Sequence, residues 1–217
     1  MPTLENTFTS GGLTSPADPY SQSFTVTSAK LILVSVDIGD GTNRTVTSVK
    51  WNTTESFTLV KNQDDTFFES AQIWRLENPT PGTFNIAVDW AAGGPGQALV
   101  TISGWIDGKV STSTPNGAME NHTANPSVTV ADYVSGTDVL YATYASDLGT
   151  DGTSTESDTL IGEAENVALD SDFATQYKTG AGTSIGWTAI SSNGFWTIAA
   201  VSIKPLTSAS SPMFRGS

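Results

Sequence analysis

Residues 71–90, A-Q-I-W-R-L-E-N-P-T-P-G-T-F-N-I-A-V-D-W, decide the fold class. Ile73, Trp74 and Leu76 form an apolar strand, and Thr83–Trp90 alternates so that Phe84, Ile86, Val88 and Trp90 share one face of a pleated strand. Between them lies turn chemistry. In Asn78-Pro79-Thr80-Pro81-Gly82, Pro81 presets φ and Gly82 accepts the positive φ that a type II turn needs. The pattern predicts a half-buried β-hairpin.

Outward from this hairpin the same signals recur. Upstream, Ser23–Thr27 alternates around Phe24 and Val26, and Leu31–Ile38 is an apolar run broken by Ser35 and Asp37, as in a central strand. Thr45–Trp51 predicts a strand with Thr45, Thr47, Val49 and Trp51 on one side, and Phe57–Lys61 is a further short strand. Downstream, strands are expected at Ala98–Trp105, Ser127–Ala131 and Asp138–Ala145, the last covered on both faces. Thr159–Lys178 is mostly strand, and Thr183–Ile190 and Phe195–Ile203 are joined across Asn193-Gly194, a hairpin signal, with Pro205 ending the last strand. No stretch has a sustained helical period.

Composition agrees. Only 14% of the 217 residues are charged, with 20 Gly and 10 Pro, a mix of strands and turns. A chain of this size buries about 70% of its unfolded surface and needs no disulfide, and it has no cysteine. The expectation is an all-β fold: a single antiparallel β-sandwich, jelly-roll-like, over residues 22–204. It carries an extended N-terminal arm (1–21) and a Ser-rich C-terminal tail (205–217). Leu4 and Phe8 on the arm, and the hydrophobic-basic knob of Met213, Phe214 and Arg215 on the tail, are the candidate partner-binding residues.

The net charge of −13 offers no footprint for nucleic acid and repels anionic membrane. No apolar run is long enough to span a bilayer, and the start lacks a standard signal peptide, so synthesis in a cytoplasm is the expectation. Reactive constellations are scarce. With no cysteine and one histidine, His122 in the polar stretch Asp107–Pro126, a catalytic triad has a single candidate base, and zinc lacks ligands. Asp37, Asp40 and Asn43, and the acidic stretch Asp147–Asp158, offer oxygen ligands for calcium, yet their spacing is that of ordinary acidic turns. Two carboxylates suffice for a glycosidase, but no strand-end pair stands out among the 22 acidic residues. We therefore expect no enzyme, no cofactor and no metal. Six tryptophans raise one other class, a carbohydrate-binding platform, for which Trp51 and Trp105 at strand ends are the candidates, with Trp74, Trp90, Trp187 and Trp196 expected in the core. The sequons at Asn43, Asn52 and Asn121 carry no weight without a signal peptide.

One resemblance follows from these residues. A strand with Ile73, Trp74 and Leu76, the turn with Asn78, Pro79 and Gly82, and the alternating strand to Trp90 resemble a β-sandwich module that recurs in tailed-phage virion proteins and bacterial surface proteins. Leu31–Val36, Val46–Trp51, Gly186-Trp187 and Trp196–Ile203 correspond to its flanking strands, so the likeness spans about Ser23–Lys204. It departs at Asn52-Thr53, where the module often has Gly-Gly. The resemblance implies a structural virion protein, foremost a capsid decoration subunit. Its partners would be the major capsid protein or other virion subunits, and it would itself be a homo-oligomer. The alternatives are a tail or fibre component and a secreted carbohydrate-binding module with a glycan as partner.

Overall fold

The computed structural model describes residues 1–39, 45–64, 69–91, 94–113, 115–121, 125–147, 155–156, 158–166, 171–188 and 195–206. Among them there is no helix. The first half of the chain forms β1 (Thr3–Thr9), β2 (Leu13–Thr14), β3 (Tyr20–Val26), β4 (Leu31–Gly39), β5 (Val46–Trp51), β6 (Glu55–Ser56), β7 (Thr58–Asp64), β8 (Ser70–Glu77), β9 (Gly82–Trp90) and β10 (Gln97–Ile106). The second half forms β11 (Gly108–Val110), β12 (Asn116–Asn121), β13 (Ser127–Thr129), β14 (Val139–Asp147), β15 (Thr155–Glu156), β16 (Thr159–Asn166), β17 (Ser171–Lys178), β18 (Ser184–Thr188) and β19 (Phe195–Pro205).

The all-β, antiparallel expectation holds, but the described strands make four sheets in place of one facing pair. An outer sheet β3-β9-β5-β6 covers an inner sheet β1-β10-β4-β8-β7, to whose β10 the short β2 is added. A second inner sheet runs β19-β14-β17-β16, with β11 and β12 both on the free side of β19, and is covered by the small outer sheet β13-β18-β15. The two inner sheets pack on each other, so the stack has three buried layers.

Strand β4 shows how the sequence dictates this. All nine of its residues are buried, because both faces meet another sheet. Ile32, Val34, Val36 and Ile38 enter the first outer core with Phe24, Trp51, Trp74, Ile86, Val88 and Trp90. Leu31 and Leu33 point the other way, into the seam between the inner sheets, with Ile73, Trp105, Tyr141, Val201 and Ile203. In β19, Trp196, Ile198 and Ala200 likewise serve the second outer core, whereas Ala199, Val201 and Ile203 serve the seam.

The stretch that decided the fold forms both expected strands, with Phe84, Ile86, Val88 and Trp90 facing the outer core, but not the expected hairpin. Strand β8 pairs with β4 and β7 in the inner sheet and β9 with β3 and β5 in the outer one, so the 78–82 turn, with Gly82 at φ 148°, carries the chain from one layer to the other. Strands β18 and β19, expected as a hairpin across Asn193-Gly194, likewise lie in different sheets. Two departures have local causes. Val46 joins Val49 and Trp51 in the core because the β5–β9 register shifts between Val46 and Ser48, and such a bulge turns neighbouring side chains to the same face. Asn52 and Thr53 adopt φ 51° and 59°, the left-handed conformation that a glycine pair takes without strain.

The two halves repeat one wiring. In the first, β10 lies between β1 and β4, β8 lies between β4 and β7, and β9 lies between β3 and β5. In the second, β19 lies between β12 and β14, β17 between β14 and β16, and β18 between β13 and β15. Even a bulge recurs. The ladder slips between Leu59 and Lys61 in β7 and between Leu160 and Gly162 in β16, after Thr58-Leu59-Val60 and Thr159-Leu160-Ile161.

Candidate functional site

The N-terminal stretch expected as an extended arm is tied down along the body. Strand β1 is an edge strand on β10, and Glu5 accepts backbone N–H bonds from Ser28 at 2.6 Å, Ala29 at 3.0 Å and Thr27 at 3.4 Å. Further on, the Ser10 amide donates to the Val100 carbonyl, and the Val100 amide donates to Ser10 Oγ. Leu4 packs half-buried against the seam core and Phe8 against the first outer core. Pairing with β10 satisfies the backbone groups along one side of this stretch, which is why it does not stand away from the body. Met213, Phe214 and Arg215 lie outside the described residues, as do His122, Asp40 and Asn43. Asp107–Pro126, expected as a long polar connection, contains β11 and β12, which close the free side of β19.

The aromatic platform is overturned. All six tryptophans are buried, Trp51 and Trp105 almost completely at 0% and 1% exposure. Trp51 meets Phe84 edge-on and donates from Nε1 to the Thr80 carbonyl, pinning the 78–82 turn. Trp105 meets Tyr141 and Tyr177 edge-on in the seam and donates to Ser103 Oγ. Large rings at strand ends here close layers instead of presenting faces to solvent.

What the fold does bring together is a polar stripe inside the seam. Ser35, Asp37, Thr101 and Ser103 of one inner sheet and Tyr141, Thr143, Thr175 and Thr197 of the other are fully buried. Ser35 Oγ and the Tyr141 hydroxyl are 2.6 Å apart, and Thr143 Oγ1 lies 2.5 Å from Asp37 Oδ2 and 2.9 Å from Thr175 Oγ1. Asp37 is thus no turn ligand. Its burial holds the carboxyl well above the usual carboxylate range, against the opposing effect of the Thr143 hydrogen bond. Burial likewise raises the Tyr141 hydroxyl, with the hydrogen bonds to Ser35 and Ser103 opposing.

The stripe lies on a local two-fold relation. Strands β4 and β14 run in the same direction across the seam, since Ser35 meets Tyr141 and Asp37 meets Thr143. Around them β1 lies on β16 and β7 on β12, so that each half's β10- or β19-side edge meets the opposite edge of the other half. One registered row crosses the first inner sheet as Thr9, Thr101, Ser35, Ile73 and Lys61. Its counterpart crosses the second as Gly117, Ala199, Thr143, Thr175 and Gly162. A Cβ on Gly162 would come within 2.7 Å of the Thr9 side chain, and one on Gly117 within 2.6 Å of Lys61 Cε. Each end of the row therefore pairs a glycine with a larger residue.

Chemically this is an adhesive between two sheets. Among the described residues no three His, Asp or Glu side chains gather to hold a metal ion, and no helix is long and apolar enough to cross a membrane. Sequence reasoning missed the seam and the internal repeat. The available signals were the two-sided burial of β4, β14 and β19 and the recurring Thr-Leu-(Val/Ile). Comparison with family models, curated proteins and solved structures gives no match.

Proposed function

We propose that the chain is a non-enzymatic structural subunit of a tailed-phage virion, foremost a capsid decoration protein that binds neighbouring shell subunits and its own copies. One observation carries this reading: the residues best suited to ligand chemistry are spent on internal cohesion. All six tryptophans and the central hydroxyl and carboxyl groups lie between sheets. Such a body is a stiff spacer, and the net charge of −13 keeps repeated copies apart from packaged nucleic acid. Affinity in a repeated lattice comes from many modest contacts acting together. Placement on the tail or fibre is the neighbouring version of the same role.

The test is density-gradient purification of particles from cells that produce the chain, followed by quantitative mass spectrometry and immunogold labelling. A fixed ratio to the shell protein, with label over the shell, is the expected result. Label confined to the tail moves the chain there, and a chain that stays at the top of the gradient overturns the virion role.

A further inference from the structure

We propose that β1 is an exchangeable strand, and that the partner of this chain's β10 edge in assemblies is β1 of a second copy. The inference rests on the structural-subunit reading and supplies its contact. Every anchor of residues 3–9 lies in the body beyond the short link at Gly11-Gly12: β10 by strand pairing, the 27–29 turn by its amides on Glu5, and β16 by Thr9 against Gly162. A second copy offers that slot unchanged, so exchange costs no contact and gains a tether between molecules. After the link the chain is fixed again: Trp90 donates to Asp18 Oδ1 and to the Ala17 carbonyl, and Leu13 packs on the outer core. The hinge is therefore confined to Gly11-Gly12, where Gly11 holds φ 64° and a Cβ would meet nothing within 4 Å.

Three edges of the inner sheets are poor templates for a further strand. The free edges β7 and β16 are interrupted by their bulges, and β1 slips between Leu4 and Asn6, which spoils a continuous ladder with any strand laid alongside. The β10 slot is different, because it already fits the Leu4–Asn6 irregularity. In the second half the equivalent slot on β19 is filled by β11 and β12, which continue directly from β10 without a glycine pair like Gly11-Gly12 between them.

The chain has no cysteine, which makes the test clean. Thr3 and Ile106 are register partners at the periphery of the β1–β10 ladder, so the full-length Thr3→Cys/Ile106→Cys variant is oxidised, using a mixture of mass-tagged and untagged copies. In particle-bound or oligomeric fractions the expected product joins tagged to untagged copies, while the monomer fraction closes on itself. Particle-bound chain that closes only on itself overturns exchange and leaves the structural role standing. If the chain binds no particle, the structural role fails and exchange is judged on concentrated protein alone. There Gly11→Val, which penalises the left-handed hinge and whose Cβ meets nothing within 4 Å, raises the covalent dimer fraction roughly five- to thirtyfold. No dimer in either background overturns the proposal.

Discussion

The two faces of β4 meet different neighbours, and the contrast is instructive. Toward the outer sheet it presents Ile32, Val34, Val36 and Ile38 to a mainly apolar core, whose buried polar groups, Ser70 and Gln72, are bonded within β8 and to Trp74. Toward the seam it presents Leu31 and Leu33, then Ser35 and Asp37, which meet hydroxyls from the opposite sheet. An apolar core rewards burial without specifying how two sheets align. A stripe of buried polar groups penalises every alignment that leaves them unpaired. The outer cores supply cohesion, and the seam fixes register between halves.

The contrast breaks most visibly at tryptophan. Trp105→Ala in the seam and Trp51→Ala in the outer core should each cost about 3–5 kcal/mol in denaturant melts. They should differ in hydrogen exchange. Loss of Trp105 lowers protection in strands of both inner sheets, while loss of Trp51 lowers it first in β3, β5 and β9. Identical exchange maps would erase the distinction.

Asp37 sharpens it. The folded carboxyl titrates above its unfolded value, so the folded state holds the proton longer and stability falls as pH rises. The contribution is complete below about pH 4 and is lost between there and the raised folded value, at a limiting slope of about 1.4 kcal/mol per pH unit. Asp37→Asn should flatten the stability curve across that window, and an unchanged slope would place the titration elsewhere.

Smaller effects probe the edges. Gly162→Ala should cost about 1–3 kcal/mol by overpacking against Thr9, and the cost should shrink in a Thr9→Gly background. A purely additive double mutant would dissolve the pairing. Glu5→Ala should cost about 1–2 kcal/mol by stranding the amides of the 27–29 turn, read as faster exchange confined to β1 and that turn. Global rather than local exchange would show that β1 does not open on its own.

Much of the fold is written locally. Alternation and the 78–82 turn place β8 and β9 as strands, though not in the separate sheets they join, and the continuous apolar runs mark β4, β14 and β19 as covered on both sides. What covers them is not local. Ser35 and Asp37 look like interruptions of an apolar strand until β14 arrives from more than a hundred residues away with Tyr141 and Thr143. Strand-end position suggested exposure for Trp51 and Trp105, but whether a strand end is covered depends on the 78–82 turn and on the second inner sheet. The pairing of β1 was equally hidden, since its partner β10 follows some ninety residues later and Glu5 seeks amides in an unremarkable turn.

The glycines at the two ends of the row also govern which halves recognise each other. Two first halves meeting through their inner sheets would press Thr9 against Lys61, large against large. Two second halves would set Gly117 against Gly162 and leave a void. Only unlike halves interlock, one supplying bulk where the other supplies room. When many chains emerge side by side from ribosomes on one message, a finished first half is therefore a poor match for its identical neighbours. Its inner face fits a second half instead, and the one on its own chain is the nearest at hand.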